Sequence, residues 1–178
     1  MPRPSNIAEK ERKREPKTQQ GDEMSSNEKI KKIFIKPHHI TIVVKDLEKT
    51  QKFYESIGIG PWQDYGSLQE YTQLNVPDRE GFYNLKFKFV QIGHLQIRLA
   101  EPGEGRSVYK DHLEQKGEGV FHIGFEVEDI KDVDKNIEAL GLEVLQSGRR
   151  DDGTGFSYFQ TAEKAGVTLL VRQSPSPK

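Results

Sequence analysis

The chain has 178 residues, a formal net charge of −1, 31% Asp, Glu, Lys and Arg, and 33% hydrophobic residues. A balance so near neutral gives no electrostatic footprint for nucleic acid or an anionic membrane, and the absence of cysteine excludes disulfides, thiolate metal sites and a thiol nucleophile. No apolar run approaches the roughly 18 residues needed to span a bilayer and the N-terminus lacks a secretion signal's apolar core, so a soluble, cytoplasmic protein with no nucleic-acid or membrane partner is expected.

In chain order, residues 1–32 hold nine Lys or Arg and six Asp or Glu with almost no large apolar residues. Such a segment cannot bury enough surface to offset its ordering entropy and reads as a disordered charged tail. Residues 33–173 read as the folded domain, and 174–178 as a short tail. β-Branched alternation from His39 (HITIVV) predicts a first strand. Asp46 stands where a carboxylate can accept the orphan amides of a helix. Leu47, Thr50, Phe53, Tyr54 and Ile57 follow at helical spacing, and Gly58 closes the helix as a left-handed cap. Three more strands are predicted near 62–65, 82–92 and 94–100, with Gly93 turning the last two. A glycine-rich connector at 102–119 holds a short helical stretch near 107–115. The pattern then restarts with a strand from His122, a cap at Asp129 and a helix through Ile130, Val133, Ile137 and Leu140. Gly141 and strands near 143–148, 155–160 and 166–172 complete it.

The two halves are copies at a spacing of 83 residues. His39 and His122 each precede an Asp by seven residues (Asp46, Asp129), and a Gly follows each Asp by twelve (Gly58, Gly141). Lys52 with Lys135, Ile40 with Ile123 and Val44 with Val127 match in the same register. So many coincidences in one register make accident improbable.

Over about residues 36–173 the phrases HHITIVVKDLEKTQKFYESIGIGPW, RLAEP, GEGVFHIGFEVEDI and GVTLLV resemble the vicinal oxygen chelate superfamily (glyoxalases, bleomycin resistance proteins and dioxygenases), most closely its methylmalonyl-CoA epimerase-like branch. The resemblance implies an α+β fold of two tandem βαβββ modules, 36–101 and 120–173, forming a curved mixed sheet around a central cup. It also implies a homodimer. One divalent metal is held in that family by two ligands from each module. The first-strand ligands map onto His39 and His122. The other two positions fall on Arg98 of RLAEP and Leu170 of GVTLLV, where the family has a carboxylate or amide. A guanidinium has only donors and would repel a cation by several kcal/mol at about 4 Å, and Leu170 offers nothing. These replacements disfavour a bound metal. The family's catalytic acid on the third strand is not evident either, since Leu85-Lys-Phe-Lys-Phe89 contains no carboxylate.

A lone histidine at a strand start ordinarily satisfies backbone groups; the repeat and the family position favour a cup-lining, catalytic role for His39 and His122. His38 and His94 lack that support and read as surface residues. Arg98 falls on the cup face, where an uncompensated cation is costly, so it calls for an anionic partner, either Glu126 or a ligand carboxylate or phosphate. Gln96, Phe87, Glu126 and Thr168 complete the expected ligand-binding set, and Tyr158 reads as packing or as a proton donor. Two functions stay open. One is an epimerase, isomerase or lyase acting on a small anionic acyl or aromatic substrate, with Arg98 stabilising enolate-like charge and a histidine moving the proton. The other is a non-catalytic binding or sequestering protein.

Overall fold

The computed structural model describes residues 31–175. The expected tail lies almost wholly outside them. Nine strands, β1 Pro37–Val43, β2 Gln63–Asp64, β3 Gln73–Asn75, β4 Lys86–Ile92, β5 Leu95–Glu101, β6 Gly119–Glu126, β7 Val144–Arg149, β8 Gly155–Phe159 and β9 Thr168–Gln173, form one curved mixed sheet in the order β2-β4-β5-β1-β6-β9-β8-β7-β3. Among the described residues five helices accompany it: α1 Leu47–Ser56, α2 Arg79–Tyr83, α3 Val108–Lys116, α4 Ile130–Ala139 and α5 Ala162–Ala165.

The repeat is visible in the topology. Strands β2-β4-β5-β1 of the first half and β6-β9-β8-β7 of the second meet at an antiparallel β1–β6 seam. In each half the first strand pairs parallel with the last, His39 opposite Gln96 and His122 opposite Thr168. Each module's helix starts on the expected aspartate, with Asp46 accepting from the Lys49 amide at 2.9 Å and Asp129 from those of Lys131 and Asp132. Gly58 and Gly141 hold φ of +87° and +66°, the left-handed conformation in which a side chain would be strained.

Alternation along the strands sorts residues onto two faces. Ile42, Val44, Ile97 and Leu99 pack under α1, with Leu47, Trp62 and Val90. Val127, Ile130, Val133, Ile137, Phe159 and Val171 pack under α4, joined by Ile33 from the segment before β1. The opposite, concave face carries Val43, Ala100 and Leu170 together with Tyr71, Phe82, Tyr109, Phe121, Phe156 and Tyr158.

Three local expectations are corrected. The segment predicted as one strand from 82 begins as α2, capped by Asp78 through the Glu80 and Gly81 amides, and β4 starts only at Lys86. Phe53 and Ile57, placed on the buried face of α1, are 61% and 58% exposed, because Leu47 and Tyr54 alone make that contact. β3 was not anticipated, and it belongs to the far edge. After β2 the chain leaves one margin of the sheet, crosses as residues 65–72 with a single 3-10 turn at Leu68–Glu70, and pairs as β3 with β7 on the other margin. This strap roofs the concave face.

Candidate active site

Three central strands build the floor of the cup. His39 and Thr41 of β1, Arg98 of β5 and His122 of β6 are all buried, and Thr41 pairs in register with both Arg98 and His122. Two β-bulges at the seam add rings to this face. Register breaks between His122 and Val120 leave Phe121 unpaired, so Phe121 and His122 both touch Tyr109 and Tyr158. A second break between Pro37 and His39 leaves His38 unpaired and swings its ring against His39. His38, expected at the surface, is therefore half-buried and joined to the site; His94 is exposed as expected.

The imidazoles form a line. His39 Nε2 lies 3.0 Å from His122 Nε2, His39 Nδ1 lies 2.9 Å from His38 Nδ1, and His38 Nε2 lies 2.7 Å from Nη1 of Arg172. Burial, and next the Arg98 cation, hold His39 and His122 well below the usual histidine value. Burial and Arg172 lower His38 to about 3. All three are neutral at physiological pH. Gly124 makes the close approach feasible, since a Cβ there would fall 2.0 Å from the His39 ring.

The cup has an inner chamber and a vestibule. The inner chamber, about 30 Å³, is walled by aromatic rings including Tyr71, Phe82, Phe87, Tyr109 and Tyr158, with His39, Thr41 and Leu170 at its floor. Burial raises the Tyr109 and Tyr158 hydroxyls, which lie 2.5 Å apart. The vestibule, about 210 Å³, is lined by Arg98, Arg150 and Arg172, with Gln96, His38 and Tyr65. Arg98 and Arg172 border both spaces.

The three guanidiniums are not equivalent. Arg150 pairs with Glu70 at 3.1 Å and bonds the Tyr71 hydroxyl at 2.8 Å, and Arg172 pairs with Glu126 at 3.1 Å. Arg98 is 7% exposed and meets no carboxylate among the described residues. Its Nε and Nη2 donate to Gln96 Oε1 at 3.1 and 2.8 Å, and its guanidinium lies 4.9 Å from the Tyr65 ring centroid. The expectation that Glu126 could answer Arg98 is thus corrected. Glu126 is taken by Arg172 and by the Ser174 amide, and it borders a groove beside α4 rather than the cup.

Of the predicted site residues, His39, His122, Arg98, Gln96 and Phe87 come together at the cup. Thr168 is buried but lines a separate groove beside α3 with His112 and Phe121. The sequence reading missed Arg172, Arg150, His38, Thr41, Tyr65 and Tyr71. Arg172 was within reach, two residues beyond Leu170 on the same strand face; Arg150 and the strap tyrosines come from loops, where periodicity carries no signal.

The family metal position can be tested against these groups. Arg98 and Leu170 occupy two of its four corners, the nitrogens of the histidine pair face each other, and among the described residues no three His, Asp or Glu side chains converge as ligands. This donor set does not fit a divalent ion.

Among solved structures, the fold is similar to a hypothetical protein from Bacillus halodurans C-125 (20% identity, TM-score 0.61, 80% of this chain and 96% of that one). It is also similar to methylmalonyl-CoA epimerase from Mycobacterium tuberculosis (17%, 0.59, 82% and 91%). A third likeness is to a Streptomyces coelicolor methylmalonyl-CoA epimerase variant in complex with 2-nitronate-propionyl-CoA (22%, 0.61, 80% and 99%). At such identities the likeness is one of fold. No curated protein matches in sequence. A family model does match, over residues 38–159, and the chain belongs to the glyoxalase/bleomycin resistance protein/dioxygenase superfamily.

Proposed function

We propose that the cup binds a small organic anion, a carboxylate-bearing acyl or aromatic compound, without help from a metal ion. The observation that supports this most is Arg98, a buried guanidinium with no carboxylate partner among the described residues. A desolvated cation without a counter-charge is costly unless a ligand supplies one. A carboxylate entering through the vestibule would meet Arg98 with Arg172 beside it, while its apolar part faces the aromatic chamber. Burial and the flanking arginines hold the three histidines below their usual value, no carboxylate of the described residues lines the inner chamber, and Glu70 at the vestibule is paired with Arg150, so the chamber offers little general-base strength. Binding or sequestration therefore suits it better than proton abstraction.

An isomerase, epimerase or lyase is the second reading, favoured by the likeness in fold to methylmalonyl-CoA epimerases and by His39 at the chamber floor. Calorimetry with a panel of small carboxylates, each followed by NMR in deuterium oxide, separates the two. Binding without deuterium uptake at the carbon beside the carboxylate supports sequestration; uptake supports the isomerase. Arg98→Glu should abolish carboxylate binding. A parent that binds manganese tightly, and loses it on His39→Ala, would sink the metal-free reading. The homodimer is part of this proposal and is checked by sedimentation equilibrium.

A further inference from the structure

We infer that Arg172, His38, His39 and His122 form a one-way hydrogen-bonded chain that occupies every ring lone pair of the three imidazoles, so that the buried histidine pair donates hydrogen bonds and ligates no cation. The direction is set at the outer end. A guanidinium has donors only, so Arg172 Nη1 donates across 2.7 Å to His38 Nε2. The Oε2 of Glu126, at 3.9 Å from that nitrogen, is too far to accept a proton from it. His38 therefore carries its proton on Nδ1 and donates it to Nδ1 of His39 at 2.9 Å. His39 must then be protonated on Nε2, which donates to Nε2 of His122 at 3.0 Å. His122 keeps a proton on Nδ1, a buried N–H with no partner among the described residues.

The scheme requires all three rings to be neutral, and the geometry asks the same, since a ring that accepts at one nitrogen carries only one proton. It also requires His38 to face His39, which strand alternation forbids and the bulge between Pro37 and His39 supplies. His38 is thus a positioning residue that acts through His39 by fixing its tautomer. A divalent ion needs two free imidazole lone pairs at this place, and the chain leaves none. What it leaves is the His122 N–H, in a ring packed on Tyr109 and Tyr158 of the inner chamber. A buried donor without a partner calls for an acceptor oxygen. With Arg98 beside the pair, this part of the site offers a cation no free imidazole lone pair and offers an anion a buried guanidinium.

This inference deepens the anion-binding proposal, and the two fail separately. The test is long-range proton–nitrogen correlation NMR on the full chain at pH 8, which reads which ring nitrogen of each histidine bears the proton. The expected pattern is Nδ1–H for His38, Nε2–H for His39 and Nδ1–H for His122. His38→Phe removes the donor but keeps a ring, and should release His39 and His122 into exchanging tautomers with averaged nitrogen shifts. Three outcomes overturn the chain: His39 protonated on Nδ1 in the parent, tautomers of His39 and His122 unchanged in His38→Phe, or selective broadening of both rings by stoichiometric manganese. If the tautomers are as expected but no carboxylate binds, the chain stands and the anion-binding proposal falls.

Discussion

A buried Arg98 that meets no carboxylate among the described residues costs stability, a cost that the proposed anion would offset. Replacing buried ionic groups with apolar residues of similar volume often stabilises a protein by about 1–4 kcal/mol. Arg98→Met should therefore raise the melting temperature of the ligand-free protein while weakening carboxylate binding by roughly ten- to a hundredfold, the worth of one charged hydrogen bond. Paired thermal melts and calorimetry check both halves; a variant that melts lower would show that Arg98 is already neutralised. The histidines predict a pH dependence of definite sign. His38, His39 and His122 are all held below the usual 6.5, His38 at about 3, so the folded state binds fewer protons than the unfolded state once the pH drops below 6.5. Their contribution is present above pH 6.5 and is lost as pH falls below it, for His38 down to about 3. The melting temperature should be flat from pH 7 to 8 and fall steadily below 6.5, and His38→Phe should shallow that fall. His39 and His122 were legible from the 83-residue spacing of two alternating strands, and Arg98 from the resemblance that places RLAEP at a family ligand position. His38 was not, because a bulge inverts the facing that alternation predicts, and nothing in HHITIVV announces one.

Among the elements, the two module helices are alike in sequence and unlike in packing. Ile130 and Ile137 of α4 are fully buried, whereas Phe53 of α1 lies in the open. Ile137→Ala should cost about 2–5 kcal/mol by leaving a cavity, and Phe53→Ala close to nothing. Urea unfolding of both variants checks the contrast, which helical periodicity alone does not foresee because the two patterns look equivalent. The β1–β6 seam gives a sharper test. Gly124 stands opposite His39, and a methyl group there would occupy the imidazole's place. Gly124→Ala should destabilise the protein by about 1–3 kcal/mol and displace the His39 ring. Its signature is loss of the His39–His122 hydrogen bond in the same NMR spectra; a variant with unchanged histidine signals would show that the strands can spread to accommodate a methyl. The glycine was visible in the sequence as part of HIGFEV, but its reason is a cross-strand contact, and pairing partners are not written in either strand alone.

For the whole molecule, the paired modules and the cup between them follow from the repeat, while the strap does not. Residues 65–72 carry no strong period, and nothing in their composition says that a chain leaving β2 will finish on the opposite margin of the sheet as β3. Its anchors are Thr72 to Asp151 at 2.6 Å, Glu70 to Arg150 at 3.1 Å, and the Tyr71 ring, whose centroid lies 4.2 Å from the Arg150 guanidinium. All three tie the first half to the loop after β7. A cup closed in this way has consequences for time as well as for affinity. The vestibule gives access to Arg98 while the inner chamber lies under the strap, so if full seating waits on the strap's lifting, the observed binding rate should level off with rising ligand concentration. Thr72→Val, which removes one anchor and leaves the arginines in place, should speed arrival and departure alike in stopped-flow traces, with their ratio nearly unchanged. Occupancy in the parent would then outlast brief changes in ligand supply, so that the protein keeps a slow record of its surroundings.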